Sequence, residues 1–136
     1  MNVVILGCGR VGAQLAKVMD QAGHSVSVID SSSDSFQRLS SDFRGETHIG
    51  NGVDEDVLTR AGIKRADVFV AVTNGDNRNI MASQIAKELF KVKKVVCRIY
   101  DPIREETYRE LGLETFCPTK LGAQMIFDMI IDRKQK

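Results

Sequence analysis

This sequence has little of what covalent or metal chemistry usually requires. It holds two histidines and three cysteines in 136 residues. His24 and His48 stand apart, at a helix-to-strand turn and near the end of a strand, and both read as structural. Cys8, Cys97 and Cys117 are odd in number and lack any C-x-x-C spacing. That argues against a disulfide framework or a zinc site and for a reducing compartment. No G-x-S-x-G elbow, H-E-x-x-H pair or G-x-x-x-x-G-K-[ST] loop occurs. No apolar run is long enough to span a bilayer. The first strand begins at Val3, which leaves no room for a signal peptide. A net charge of +1 gives no electrostatic case for nucleic acid or for an anionic membrane surface. The expectation is a cytoplasmic protein with no direct membrane insertion. There is no internal repeat, low-complexity stretch or second domain, and the length fits one domain able to bury about two-thirds of its unfolded surface.

What the chain does have is alternation. Short β-branched runs near 2–6, 25–30, 46–49, 67–72, 94–99 and 114–117 read as strands. Helical patterns fall between and after them, near 11–22, 33–42, 54–61, 77–90, 103–111 and 119–133. Strictly alternating strands and helices imply a doubly wound, parallel, six-stranded α/β sheet. Right-handed crossovers give the Rossmann-like order 3-2-1-4-5-6, closed by a C-terminal crossover helix. Residues 1–118 would form the nucleotide-binding part, and 119–136 an interface helix and tail of the same domain. That last helix is apolar on most of its circumference, through Met125, Ile126, Phe127, Met129, Ile130 and Ile131. Either it lies deep against the sheet edge or, as we expect, a second subunit covers it.

The candidate site is the turn after the first strand. Gly7, Gly9 and Gly12 have the G-x-G-x-x-G spacing. The first allows a tight turn, the second lets a pyrophosphate reach the backbone, and the third lets the helix pack close to the strand. The helix then presents free N–H groups and its dipole to phosphate. Asp30 ends the second strand, 18 residues beyond Gly12, near the spacing of a ribose-binding carboxylate. It could also cap a following helix. Ser31 and Ser32 follow it and no arginine does, so a 2′-phosphate would meet an uncompensated charge; this favours NAD, ADP or ATP over NADP. Arg10 either reaches a phosphate or is simply solvated. Arg98 ends the fifth strand, where a polar ligand or an ion pair would explain it. Gly50-Asn51-Gly52 is a turn where a base edge could sit. Thr73-Asn74-Gly75-Asp76 starts a helix, and capping alone could explain Asp76, while Thr73 and Asn74 could reach a ligand.

Taken in order, these motifs resemble the N-terminal lobe of the RCK family, the TrkA-type regulators of potassium conductance. Gly7-Cys8-Gly9-Arg10-Val11-Gly12 looks like that family's phosphate loop. Gly50-Asn51-Gly52 with Leu58, Ala61, Gly62 and Ile63 looks like its third-strand turn and short helix. Val72-Thr73-Asn74-Gly75-Asp76-Asn77 looks like its fourth-strand loop, and Arg98-Ile99-Tyr100-Asp101-Pro102, Leu111-Gly112 and Pro118 complete the pattern. The resemblance implies a regulatory subunit, not an enzyme. It implies binding of NAD(H), ATP or ADP, assembly into homodimers or rings of dimers, and a partner that is a membrane potassium channel or transporter, met at the inner face of the cell membrane. Carried over by position, it puts Gly7, Cys8, Gly9, Arg10, Val11 and Gly12 at the phosphates, Asp30 and Ser31 at the ribose, Asn51 and Gly52 near the base, and Thr73, Asn74 and Arg98 around the ligand. Many members have Asp where this chain has Asn51. The family's usual C-terminal lobe would come from a longer chain or from a partner. The alternatives are an NAD-dependent oxidoreductase or its cofactor-binding half, and a dimerisation module with a vestigial pocket.

Overall fold

The computed structural model of the chain describes residues 1–131, so the last two positions of the expected final helix, and the tail to 136, lie outside the described residues. Six strands form one sheet in the order 3-2-1-4-5-6: β1 (Asn2–Leu6), β2 (Ser25–Asp30), β3 (Glu46–Ile49), β4 (Val68–Ala71), β5 (Lys94–Arg98) and β6 (Glu114–Phe116). All five neighbouring pairs are parallel. β1 and β4 are the central strands, and their side chains alternate between two buried layers. Val3, Ile5, Val28 and Val70 pack on one face with Ala13 and Ala16 of α1 (Arg10–Gln21). Val4, Leu6, Ile29 and Phe69 pack on the other with Leu58 of α2 (Glu55–Arg60) and Ile80 of α3 (Asp76–Gln84). Burial on both faces is why β4 reads as an unbroken apolar run. Each fully buried large side chain, such as Phe69, contributes roughly 1.5–3 kcal/mol.

Local chemistry starts the helices. Asp54 caps α2 by accepting from the Asp56 N–H at 2.9 Å. Asp101 caps α4 (Pro102–Glu110) by accepting from the Ile103 N–H at 3.0 Å, with Pro102 in the first turn, where its missing donor is harmless.

Three expectations need correction. The helix expected over 33–42 is a 3-10 helix, Ser33–Arg38, and the backbone is extended again at Leu39. Its serine- and aspartate-rich start competes with α-helical bonding, and Phe36, Leu39 and Phe43 pin it to the α1 layer. The helix expected over 77–90 changes character after Gln84: Ile85–Leu89 is a π-turn, closed by the Phe90 N–H on the Ile85 carbonyl. Asp76 is not a cap. Gly75 holds that position without a side-chain bond, and Asp76 accepts from the N–H groups of Tyr100 (2.8 Å) and Asp101 (3.2 Å), binding the start of α3 to the loop after β5.

α5 (Pro118–Ile131) has no buried residue. Met125, Ile126, Phe127 and Met129 are 57–69% exposed, so the reading in which this helix lies deep against the sheet edge does not hold for the isolated chain. Its first turn is anchored by Glu105. That carboxylate, nearly buried on α4, accepts from the Thr115 hydroxyl and from Lys120 Nζ at 2.9 Å, with Arg109 Nε at 3.8 Å. The Thr115 and Lys120 hydrogen bonds hold its acidity stronger than an ordinary glutamate's. A carboxyl whose pKa is depressed by folding stabilises above its ordinary range, about 4.3, and loses that contribution as pH falls through the lowered value. Glu105→Gln is therefore expected to melt with a smaller difference between about pH 7 and about pH 3 than the parent chain. An unchanged difference would remove Glu105 from the acid response.

Candidate functional site

A cavity of about 420 Å³, called the main cavity for its place at the switch point, opens at the carboxyl ends of the strands, where β1 separates β2 from β4. This is the switch point at which open parallel sheets take ligands. The glycine loop forms its floor. Gly7 has φ +109°, and its N–H donates to the Ile29 carbonyl at 2.7 Å. A Cβ there would also lie 2.9 Å from the backbone of Val72 and Thr73. Gly9 ends the loop and accepts the first bond of α1, from Ala13 N–H at 2.9 Å. The N–H groups of Arg10, Val11 and Gly12 precede that bond and have no carbonyl one turn back. A Cβ on Gly9 would meet nothing within 4 Å, whereas one on Gly12 would sit 1.8 Å from the Gly7 carbonyl oxygen. The two glycines thus do different work. Gly12 lets the helix touch the strand, and Gly9 leaves the space above the loop empty.

One wall carries Asp30 and Ser31. Asp30 Oδ2 accepts from the Cys8 N–H at 2.8 Å and Oδ1 from the Ser32 N–H at 2.9 Å. The carboxylate is therefore a brace for the glycine loop, not a helix cap. Asn51 and Gly52 lie above it; Asn51 Oδ1 accepts from the Val53 N–H at 3.1 Å, and a Cβ on Gly52 would strike Leu6. Thr73, Asn74 and Arg98 form the opposite wall. Arg98 is 7% exposed. Its Nη2 donates to the carbonyls of Val72 and Thr73, each at 2.7 Å, and the guanidinium lies 4.7 Å from the centre of the Tyr100 ring. Burial lowers its pKa. Of the polar ligand or ion pair that would explain Arg98, no ion pair is formed among the described residues; backbone carbonyls and a ring hold it, and Nε is buried without a partner.

Four of the candidates do not line the cavity. Cys8 is fully buried, and burial, followed by the charge of Asp30, pushes its thiol pKa up. Cys97 is likewise buried and pushed up to about 11. Val11 is exposed, Gly12 is packed beneath the loop, and Arg10 borders a neighbouring cleft.

Sequence reasoning missed Arg38, Arg78 and Asn79. Arg38 lies eight positions beyond Asp30 and returns to the cavity because the 3-10 helix folds it back; its Nη1 approaches the Cys8 carbonyl at 3.4 Å. Arg78, on the first turn of α3, also lines the cavity. Asn79 is fully buried behind Thr73, and no local pattern marks it. The lining therefore carries three guanidiniums, Arg38, Arg78 and Arg98, against one carboxylate, Asp30. Such a cavity favours an anion. Among the described residues no cluster of His, Cys, Asp and Glu could hold a metal ion.

A doubly wound 3-2-1-4-5-6 sheet with a glycine loop and a cationic cavity at its switch point is a Rossmann-type domain. The chain belongs to the TrkA-N domain family, whose model matches residues 3–118. It is 46% identical over 131 residues to the Trk system potassium uptake protein TrkA of Streptomyces coelicolor, covering 96% of this chain and 59% of that protein. It is 31% identical over 133 residues to a TrkA homologue of Methanothermobacter thermautotrophicus, covering 98% and 61%. The chain thus spans about three-fifths of these relatives. Among solved structures it superposes on the Kef CTD of Shewanella denitrificans in AMP bound form with a TM-score of 0.81 at 22% identity, covering 97% of this chain and 80% of that one. It also superposes on the GsuK channel bound to NAD with a TM-score of 0.81 at 20% identity, covering 98% and 24%.

Proposed function

We propose that this chain is a non-enzymatic regulatory module that binds an adenine nucleotide, NAD(H), ATP or ADP, and gates a potassium channel or transporter. The observation that carries the reading is the empty space over Gly9 in a cavity with an excess of positive charge. In this reading the phosphates rest on the glycine loop and the unpaired N–H groups at the start of α1. Asp30 and Ser31 take the ribose, Asn51 and Gly52 the base, and Thr73, Asn74 and Arg98 the far end of the ligand, with Arg10 at the mouth. The naming of the TrkA relatives as potassium uptake proteins, and the AMP and NAD reported for the structural neighbours, support it. No described helix is long and apolar enough to cross a membrane. In this reading the module acts through a membrane partner, at its cytoplasmic face.

The test is calorimetry of the parent chain with AMP, ADP, ATP and NAD, alongside Gly9→Ala. A methyl at Gly9 occupies only empty space in the unliganded protein, so stability should be unchanged. The same methyl would stand where a pyrophosphate must approach, and affinity should fall about tenfold or more. Full affinity in Gly9→Ala, or no binding by the parent, would defeat the reading.

A ligand shifts a gate only by binding one conformation better than another. α5 is the element available to carry that preference outward, and we place it in the contact of a homodimer or of a ring of dimers. Phe127, Ile126 and Met125 together make an apolar surface that a lone domain rarely leaves uncovered. Phe127→Asp would put an unpaired charge into that contact and should shift the chain to monomer in sedimentation. A parent chain that sediments as monomer at high concentration would exclude this arrangement.

A further inference from the structure

Beside the main cavity lies a second cleft, about 480 Å³, between α1 and the end of the 3-10 helix. One face of α1 supplies Arg10, Gln14 and Lys17, spaced four and three residues apart, and the facing segment supplies Arg38 and Ser40. The lining has three cations and no carboxylate. None of the three forms an ion pair among the described residues. Asp42 feels the charge of Lys17, but it is exposed, accepts the Ser40 hydroxyl at 2.6 Å and does not line the cleft. All three are exposed, so solvent and salt screen their mutual repulsion in part, and a bound anion relieves what remains.

Arg38 lines both cavities, so the cleft continues from the wall that carries Asp30 and Ser31. The charge of Asp30 is already partly offset there by the N–H groups of Cys8 and Ser32. Together these arrangements remove the sequence-level objection to a phosphate near Asp30, which assumed that no arginine was at hand. We propose that the cleft is a subsite for a phosphate on the 2′-hydroxyl of an adenosine ribose. Phosphate would be held by the forks of Arg38 and Arg10, with Lys17 as a point charge. This inference rests on the nucleotide reading of the main cavity and extends it to 2′-phosphorylated adenine nucleotides.

The experiment is calorimetry of the full chain with 5′-AMP, adenosine 2′,5′-bisphosphate and adenosine 3′,5′-bisphosphate. The 2′,5′-bisphosphate should bind about tenfold tighter than AMP and the 3′ isomer should show no such gain. Lys17→Gln, which touches only the second cleft, should lower that ratio at least twofold while leaving AMP affinity and the melting temperature unchanged. Lys64→Gln removes a cation before β4, at the opposite end of the sheet, and should leave the ratio intact. Equal affinity of the parent for AMP and the 2′,5′-bisphosphate would overturn the subsite. So would a gain confined to the 3′ isomer, a ratio that survives Lys17→Gln, or an equal drop in Lys64→Gln. Failure of all three nucleotides to bind would overturn the nucleotide reading itself, and the subsite with it.

Discussion

Gly12→Ala is expected to destabilise the chain by about 3–5 kcal/mol, the upper end for a single substitution. The added methyl would lie 1.8 Å from the Gly7 carbonyl oxygen and 2.9 Å from its carbon, both backbone atoms in the turn between β1 and α1. Neither can rotate away as a side-chain end could. Relief requires α1 to lift from the sheet, which would open the layer where Ala13 and Ala16 meet Val3 and Ile5. Against a typical stability of about 5–15 kcal/mol, such a loss leaves little margin. Gly12→Val should be worse. The measurement is a denaturant melt of Gly12→Ala beside Gly9→Ala, whose methyl meets no atom. Parent-like stability in both would show that α1 is not held against the strand at this point.

Asn79→Leu is expected to cost about 3–4 kcal/mol and to disorganise one wall of the cavity. The Asn79 amide makes four bonds in a fully buried position. Its Oδ1 accepts from the Thr73 N–H at 2.9 Å and the Thr73 hydroxyl at 2.6 Å, and its Nδ2 donates to the carbonyls of Thr73 and Arg98, each at 3.0 Å. Leucine has similar volume and none of these groups, so the Thr73 N–H and the Arg98 carbonyl lose their amide partner, at about 1–3 kcal/mol for each strongly desolvated group, while the Thr73 carbonyl keeps its bond from Arg98. Thr73 and Arg98 both line the cavity, and Arg98 also donates to the Thr73 carbonyl. The substitution should therefore weaken nucleotide binding through residues it does not itself present to the ligand. Melting temperature and AMP affinity check both halves. A variant with lower stability but parent affinity would separate Asn79 from the site.

How much of this was legible in the chain follows from the range of the interactions involved. Six apolar runs alternating with helical patterns were enough for the parallel sheet and its strand order, because strand burial and crossover handedness are properties of neighbouring segments. The glycine spacing marked the loop, because a positive φ at Gly7 and a close approach at Gly12 are demands on single positions. The place of Asp30 in the cavity lining was legible because a strand end is readable from its pattern.

What the tertiary structure decided depends on residues brought together from distant parts of the chain. Arg38 reaches the cavity only because a 3-10 helix, pinned by Phe36 and Leu39, turns it back over the glycine loop. Arg98 is held by the carbonyls of Val72 and Thr73 across a strand pair, and Asp76 by the loop after β5. Asn79 has the composition of any helical asparagine and becomes the hub of a wall only when β4 and β5 lie side by side. The charge of the cavity follows from the same cause. Of its three guanidiniums only Arg98 stands at a position that local pattern marks, and the other two arrive by folding, because electrostatics acts through space and not along the chain.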